Sequence, residues 1–254
     1  IVVAPSDHLI LQEEKFVQTI AEGLSFAAKH DALLTLGMKP TRPDTGYGYI
    51  QISGGQMHVD GAGTCKVRAF TEKPNLELAQ KFVDSGEFLW NSGIFLWNLQ
   101  AIDAAFHAYL PEVANIFAAG EKVLGTDHEE DFIQEAFPKC PSISIDYGVM
   151  EMADNVYVIN GDFGWSDVGT WGSLYQNLRK DRYANAYDRD RVYVYNTRNT
   201  LISLPKDKVA VVNGLKDYIV VDTEDALLIC PMSDEQNIKS YIEEVRFATG
   251  EKHI

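Results

Sequence analysis

Several features that mark large classes of protein are missing from this 254-residue sequence. No apolar run approaches the ~20 residues that a membrane-spanning helix needs. The chain has 22 basic and 37 acidic residues, so its net charge is 22 − 37 = −15, and no basic cluster stands out. This balance argues against nucleic acid or an anionic membrane as the main partner. A phosphorylated small molecule is still compatible with it, because a metal ion or a few lysines can supply local positive charge.

Cysteine is scarce, and its three copies, Cys65, Cys140 and Cys230, lie far apart without a CxxC pair. The spacing predicts reduced thiols in a cytoplasmic protein rather than a zinc site or a disulfide framework. The motifs GxGxxG, GxxxxGK[ST] and HExxH are also absent. The sequence therefore gives no sign of a dinucleotide fingerprint, a P-loop or a zinc-protease site.

The chain opens on an apolar run, Ile1–Ala4, followed by Pro5-Ser6-Asp7. Such a run is typical of a buried parallel strand, with Asp7 at its carboxyl end. Buried strands have neighbours on both sides. We therefore expect earlier strands upstream of Ile1 and interpret the chain as an N-terminally truncated fragment.

Strand and helix patterns alternate as far as about Asn177 and predict an α/β domain. Strands are expected at residues 33–36, 47–52, 57–59, 66–70, 90–97 and 156–159. Helices are expected at residues 16–28, after Asn75, from Asn98 to a stop at Pro111, at 127–137, from Ser144, and at 170–177. In the helix at 127–137, Phe132, Ile133 and Phe137 are expected to face inward. From about residue 191 only short strands recur between polar turns, which indicates a small β-rich unit resembling a β-helix. A last helix is expected to start at a capping box on Ser233. We place the domains at 1–185 and 186–254.

Two aspartates each follow a predicted strand: Asp7, and Asp167 in the segment GWSDVG at 164–169. In open α/β sheets, ligands bind outside the carboxyl ends of strands, so the two carboxylates could converge there. Two carboxylates with open positions suit Mg²⁺, which also takes waters and phosphate oxygens. Asp is equally common in turns and caps, so a structural role for each stays open.

Three short motifs carry groups suited to a sugar phosphate. Glu72 and Lys73 lie together at a strand end, where a carboxylate can accept hydrogen bonds from sugar hydroxyls and an ammonium can meet a phosphate. The glycines of TGYGY at 45–49 permit close approach of the backbone to a ligand, and Asn91 offers an amide to a hydroxyl. Each motif alone is also compatible with a solvated turn, a bulge or a cap.

The order of these motifs resembles that of the bacterial mannose-1-phosphate guanylyltransferases, also called GDP-mannose pyrophosphorylases. The resemblance runs from residue 1 to about residue 245. Six segments carry it: PSDH at 5–8, TGYGYI at 45–50, FTEKP at 70–74, WNSGIF at 90–95, SIDYGVME at 144–151 and GWSDVGTW at 164–171. One feature departs from the family pattern. The glycine-rich loop with Arg and Lys that opens the family, cradles the triphosphate and helps to select guanine has no match here and would precede Ile1.

The resemblance implies an α/β, Rossmann-like nucleotide-diphospho-sugar transferase fold. Its mixed, mostly parallel sheet is flanked by helices and would lack its first strands, and a β-helix-like C-terminal unit ends in a helix. The implied reaction joins GTP and mannose 1-phosphate into GDP-mannose and diphosphate by in-line attack, which needs positioning and charge stabilisation. At matching positions, Asp7 and Asp167 would hold Mg²⁺ and, with Lys73, serve catalysis. The implied substrate-binding residues are Gly48, Tyr49, Glu72, Lys73, Asn91, Gly93, Asp146 and Glu151.

Two alternatives stay open beside this interpretation. One is another sugar-1-phosphate nucleotidyltransferase, for glucose 1-phosphate with UTP or dTTP, since base selectivity would lie mostly upstream of Ile1. The other is a non-catalytic, sugar-phosphate-binding relative, which the presence of both Asp7 and Asp167 disfavours. We expect a cytoplasmic homo-oligomer, a dimer, with GTP and mannose 1-phosphate as partners and no nucleic acid or membrane. Without the nucleotide loop, the fragment itself is expected to be inactive.

Overall fold

The computed structural model describes residues 1–52 and 63–250. It consists of two compact units, Ile1–Trp165 and Ser166–Ile254. The strand expected at residues 57–59 lies outside the described residues, and the domain boundary at 185/186 stays a prediction. Within the described ranges, no helix is both long and apolar enough to cross a bilayer.

The first unit alternates strands and helices, as the sequence predicts. Its strands are β1 (Val2–Val3), β2 (Leu9–Ile10), β3 (Leu33–Met38), β4 (Tyr49–Ile52), β5 (Thr64–Thr71), β6 (Phe88–Trp97) and β7 (Val156–Gly161), and β8 (Trp165–Ser166) spans the junction. Its helices are α1 (Glu13–Ala27), α2 (Leu76–Ser85), α3 (Leu99–Tyr109), α4 (Pro111–Ala118) and α5 (Glu129–Ala136), with a 3₁₀ turn at Phe137–Lys139 and a π-helical turn at Asp146–Met150.

Six of these strands form one mixed sheet in the order β1-β6-β3-β7-β5-β4, and β4 also pairs with β6. Among the hydrogen-bonded pairs of described strands in this sheet, only β3 and β7 are parallel to each other. The expectation of a mostly parallel sheet is therefore wrong for the described part of the chain. The reason is that β4 runs opposite to both of its neighbours, β5 and β6, while β6 also runs opposite to β1 and β3.

The first strand is not the buried parallel strand that the opening apolar run predicts. Val2 and Val3 pair antiparallel with Leu96 and Phe95 of β6. Strand β1 ends the order of the described sheet, and both of its valines are exposed. An apolar run indicates that a strand forms. Whether the strand pairs parallel or antiparallel depends on its partner, which here lies more than 90 residues away in the sequence.

Side chains of the central strands alternate between two cores, one on each face of the sheet, because successive residues of a strand point to opposite sides. Leu34 of β3 and Leu96 of β6 pack with Phe26 of α1 in one core. Leu33 and Phe95, their neighbours in sequence, belong to the other core, which contains residues of α3. The sheet is thus covered on both faces.

Two helix starts follow the predicted capping chemistry. The side chains of Asn75 and Asn98 each accept a hydrogen bond from the backbone N–H three residues further on, at 2.9 and 2.8 Å, where α2 and α3 begin. The second of these helices ends at Tyr109, just before Pro111, as expected, and Pro111 also begins α4. Proline at the first helical position loses no helical hydrogen bond, because that N–H has no partner within the helix.

The second unit holds α6 (Trp171–Asn177), the strands β9 (Val192–Tyr195), β10 (Leu201–Ser203), β11 (Ala210–Asn213), β12 (Tyr218–Asp222) and β13 (Leu227–Pro231), a 3₁₀ segment at Met232–Asn237 and α7 (Ile238–Thr249). Strand β11 pairs parallel with β9 and β12 pairs parallel with β10. Both pairs have an offset of 18 residues (210 − 192 and 219 − 201). One coil of chain therefore stacks on the next, as in a β-helix, and the expected β-rich unit ending in a helix is confirmed.

Two details of the helical predictions are wrong. The side chains of Ile133 and Phe137, expected to face inward, are exposed, and Phe137 lies beyond α5 in a 3₁₀ turn. The last α-helix begins at Ile238 rather than after Ser233, and no side chain caps it. Near its start, the carboxylate of Asp234 instead accepts a hydrogen bond from the side chain of Asn237.

Candidate active site

The register of three strands brings Gly48, Glu72 and Asn91 together in the first unit. Tyr49 of β4 lies opposite Thr71 of β5 and Trp90 of β6. One residue further along, Gly48 consequently faces the neighbours of these two residues. The backbone N–H of Asn91 donates to the carbonyl of Gly48 at 2.8 Å. A β-carbon at Gly48 would collide with Oε2 of Glu72 and would stand 3.2 Å from the β-carbon of Asn91.

Glu72 is the most unusual group in this cluster. Its side chain is only 10% exposed, and its Oε2 atom is buried without a hydrogen-bond partner among the described residues. Its Oε1 atom forms an ion pair with Nζ of Lys73 at 3.5 Å. Buried polar atoms are nearly always hydrogen-bonded, so an unpaired carboxylate oxygen indicates a place for a ligand or water hydrogen-bond donor.

Burial, followed by the nearby carboxylate of Asp146, raises the pKa of Glu72 from 4.5 to about 7. The ammonium of Lys73 opposes the shift, while Glu151 adds to it. Burial also raises the pKa of Asp146, against the hydrogen bond that Asn91 donates to it. Acidic groups with raised pKa values in one cluster are typical of functional sites.

A chain of hydrogen bonds fixes the orientation of Asn91. Its Nδ2 donates to Oδ1 of Asp146 at 2.8 Å, and its Oδ1 accepts from the hydroxyl of Thr35 at 2.9 Å. Thr35 is fully buried in β3. Sequence reasoning missed this residue. The available signal was a single hydroxyl within the otherwise apolar run Leu33–Leu36.

Lys73 and Glu151 border the same cluster. Lys73 has a positive φ of 47°, rare for a residue with a β-carbon, and its N–H donates to the carbonyl of Tyr47 at 3.2 Å. Its side chain is 58% exposed. Glu151, just after the π-helical turn, accepts a hydrogen bond from the backbone of Glu72 at 3.1 Å. Strained backbone at such a place is often held by the surrounding fold for function.

Tyr49 and Gly93, also expected to bind substrate, have supporting positions. Tyr49 is fully buried in the core, and its hydroxyl accepts a hydrogen bond from the backbone of Asp44 at 2.8 Å. Gly93 has a φ of +71°, which favours glycine, and its N–H donates to Oδ1 of Asn91 at 3.3 Å. The structure therefore gathers Gly48, Glu72, Lys73, Asn91, Asp146 and Glu151 into one cluster, with Tyr49 and Gly93 around it.

The arrangement suits a polyhydroxylated, negatively charged small molecule. Carboxylate oxygens and an amide can hydrogen-bond several hydroxyl groups. The exposed ammonium of Lys73 lies beside these groups and can bind an anionic group. The glycine at position 48 leaves room for the Glu72 carboxylate, because a β-carbon there would collide with Oε2 of Glu72.

The predicted metal pair consists of an exposed Asp7 in the first unit and a half-buried Asp167 in the second. Within residues 1–52 and 63–250, no group of three or more His, Cys, Asp or Glu side chains could hold a metal ion. Mg²⁺ needs fewer protein ligands than that, since one or two carboxylates with waters and phosphate oxygens complete its shell. The donor chemistry of the two aspartates fits this ion, and their pairing stays a prediction.

Comparison with known proteins gives the family context of this cluster. Residues 1–183 match the nucleotidyl transferase family, and residues 190–245 match the MannoseP isomerase/GMP-like beta-helix domain. The chain therefore belongs to the nucleotidyl transferase family, whose model covers both the sheet and the site cluster of the first unit.

Individual relatives point to one branch of that family. The chain is 34% identical to an Escherichia coli mannose-1-phosphate guanylyltransferase, with 99% of this chain and 54% of that protein aligned. It is 36% identical to a Salmonella montevideo mannose-1-phosphate guanylyltransferase, with 100% and 54% aligned. These matches confirm the resemblance inferred from the six motifs. The chain spans about half the length of these curated relatives.

The fold is likewise shared with a solved structure. A crystal structure described as a mannose-1-phosphate geranyltransferase from Thermus thermophilus superposes with a TM-score of 0.78 at 27% sequence identity. The superposition covers 96% of this chain and 69% of that one. The nucleotidyltransferase fold with a C-terminal β-rich unit, expected from the sequence, is thereby confirmed.

Proposed function

We propose that the chain provides the sugar-phosphate and metal sites of a mannose-1-phosphate guanylyltransferase, which converts GTP and mannose 1-phosphate into GDP-mannose and diphosphate for polysaccharide or glycoconjugate assembly. The observation that carries the proposal is the buried Oε2 of Glu72, which has no hydrogen-bond partner among the described residues and belongs to the same cluster as Asn91, Asp146 and Lys73. Two curated relatives that match nearly the whole chain carry this activity in their names.

Sugar recognition would rest on the acidic side of the cluster. A mannose hydroxyl donating to Oε2 of Glu72 would satisfy the one side-chain oxygen there that has no described partner. A site that hydrogen-bonds a hydroxyl also rejects analogues that lack it, because its buried polar group is then left unpaired. Asn91 and Asp146 hold each other in place at 2.8 Å, so the ligand would meet preset groups.

Phosphate positioning would rest on Lys73. Its ammonium lies 3.5 Å from Oε1 of Glu72, the other oxygen of the carboxylate whose Oε2 has no partner among the described residues. A sugar 1-phosphate bound through its hydroxyls at Glu72 could thus place its phosphate at Lys73. Holding the attacking phosphate beside the α-phosphorus supplies the proximity on which such a transfer depends.

Asp7 and Asp167 are our proposed ligands for Mg²⁺. The ion, when bound, would neutralise charge on the phosphates. We further propose that the protein is a cytoplasmic dimer that binds GTP and binds neither nucleic acid nor a membrane. Its three cysteines would be free thiols, as they are in the structure.

Calorimetry with the purified chain tests the sugar side of this proposal. Mannose 1-phosphate is expected to bind, Glu72→Gln is expected to weaken the binding, and Glu121→Gln, an exposed carboxylate outside the cluster, serves as the matched control. Glucose 1-phosphate is the comparison ligand. The proposal would be overturned if glucose 1-phosphate bound more strongly than mannose 1-phosphate, or if Glu72→Gln left the affinity for mannose 1-phosphate unchanged. Diphosphate release from GTP in the presence of mannose 1-phosphate and Mg²⁺, measured on the full-length enzyme, tests the reaction.

A further inference from the structure

A cavity within the β-rich unit is lined by side chains whose net charge is opposite in sign to that of the whole chain. It has a volume of about 770 Å³ and is lined by residues between 181 and 198. Three arginines, Arg182, Arg189 and Arg198, border it, together with the single carboxylate of Asp181. In a chain with a net charge of −15, three guanidinium groups around one cavity form a local positive surface.

None of the three guanidinium groups forms an ion pair with a carboxylate in the described part of the chain. Arg182 lies over the ring of Tyr183, 4.6 Å from its centroid. Arg189 donates to the backbone carbonyl of Lys180 at 3.3 Å. Most donors of these side chains are therefore available to an incoming acceptor, since each guanidinium carries five N–H groups.

Two carboxylates near the cavity already accept hydrogen bonds from neighbouring residues. Asp181 accepts hydrogen bonds from the backbone of Tyr183 and of Asn185, both at 2.8 Å, and from the side chain of Asn185 at 3.1 Å. Asp217, the acidic group that interacts with Arg198 from the next coil, pairs with Lys216 at 3.5 Å and accepts a hydrogen bond from Asn199. Hydrogen bonding leaves the negative charge of Asp181 in place, so the side chains that line the cavity carry three positive charges and one negative charge.

The floor of the cavity is fixed by buried hydrogen bonds. Asn185 is 1% exposed, donates to the carbonyl of Thr197 at 2.9 Å and accepts from the backbone of Thr200 at 3.2 Å. Thr197 is buried as well. The backbone at Asn185 and at Thr197 is thereby tied together although the two residues are 12 positions apart, which makes the spacing of the chain segments that carry the arginines a property of the fold.

We propose that this cavity binds a phosphate-bearing anion, with diphosphate as the unit that it recognises. A guanidinium offers two parallel N–H groups that match two oxygens of one phosphate. Three such groups around a cavity suit an anion with several phosphate oxygens better than one with a single charge. Free diphosphate and the diphosphate portion of GTP share this chemistry, and the test separates them.

The experiment is calorimetry on the purified chain with sodium diphosphate, inorganic phosphate, GTP and sulfate at constant ionic strength. The variants are Arg182→Gln, Arg189→Gln, Arg198→Gln and the triple variant. Arg179→Gln, an exposed arginine of the same unit that does not line the cavity, is the control. We expect each single cavity variant to weaken diphosphate binding about three- to tenfold, since each loses a charge-assisted contact at an exposed position, and the triple variant to abolish it.

The outcomes separate the sources and the rivals. Arginine-dependent binding of diphosphate without GTP identifies the free anion, and arginine-dependent binding of both identifies a shared diphosphate subsite. Binding that persists in the triple variant places the anion elsewhere and overturns the proposal. Equally weak binding of sulfate and diphosphate would also overturn the proposal, because it would show non-specific attraction of anions only. Self-association lost in the triple variant, without any anion binding, would assign the surface to a second copy of the chain instead. Because no arm measures mannose 1-phosphate, failure here leaves the proposed transferase activity untouched.

Discussion

Replacing Glu72 by Gln should change the pH dependence of stability in a predictable direction. The pKa of this carboxyl is about 7 in the folded protein, against an ordinary value of 4.5. Between pH 4.5 and pH 7, Glu72 is therefore mostly protonated in the folded state and mostly ionised in the unfolded state. The favourable contribution of the neutral acid is present below about pH 4.5 and is lost as pH rises to about 7. The wild-type carboxylate therefore costs stability at pH 8, and the neutral amide removes that cost.

The size of the effect follows from the shift. At 1.36 kcal/mol per pKa unit, a rise from 4.5 to about 7 corresponds to roughly 3 kcal/mol. The ion pair with Lys73, whose side chain is 58% exposed, brings solvent close to the site, so screening reduces the expected gain to about 1–2 kcal/mol. Below pH 4.5 the two proteins should be almost equally stable, because Glu72 is then mostly protonated in both states.

Urea unfolding from about pH 4 to pH 8.5 measures this difference. The free energy of unfolding of Glu72→Gln should exceed that of the wild type by an amount that grows through the window and levels off above pH 7. Glu121→Gln should track the wild type at every pH. A stability difference that is constant with pH, or one that favours the wild type at pH 8, would refute the account of a carboxyl held in an unfavourable, buried position for its ligand.

The other predictions concern the proposed reaction. In the full-length enzyme, Asp167→Asn should lower turnover about 10²–10³-fold, the typical effect of losing one charge-stabilising group, while circular dichroism stays unchanged; activity within a few-fold of wild type would exclude the metal role. Lys73→Met should raise the KM for mannose 1-phosphate about tenfold through loss of a charge-assisted contact, and an unchanged KM would contradict its phosphate role. Gly48→Ala should weaken sugar binding, since a β-carbon there would displace Glu72; calorimetry showing wild-type affinity would disprove the close approach.

The local sequence determined most of the elements. The caps at Asn75 and Asn98, the strand from residue 33 and the short strands after residue 191 all form where their patterns predict, because capping and alternation act over a few residues. The order of the six family motifs also led to the right family before any geometry was known. Local patterns failed where a distant partner decides the outcome, as for the exposed Phe137 and for β1, which pairs antiparallel with β6.

Only the tertiary structure decided which strands are neighbours and what the site residues do for one another. The pairing of β4 with both β5 and β6 places Gly48 between Glu72 and Asn91, although these residues are up to 43 positions apart (91 − 48). The raised pKa of Glu72, the Thr35 hydroxyl that orients Asn91, and the arginine-lined cavity around a buried Asn185 likewise depend on burial and on contacts across the fold. Hydrogen bonding and desolvation act between groups close in space, and a sequence by itself records only which groups are available.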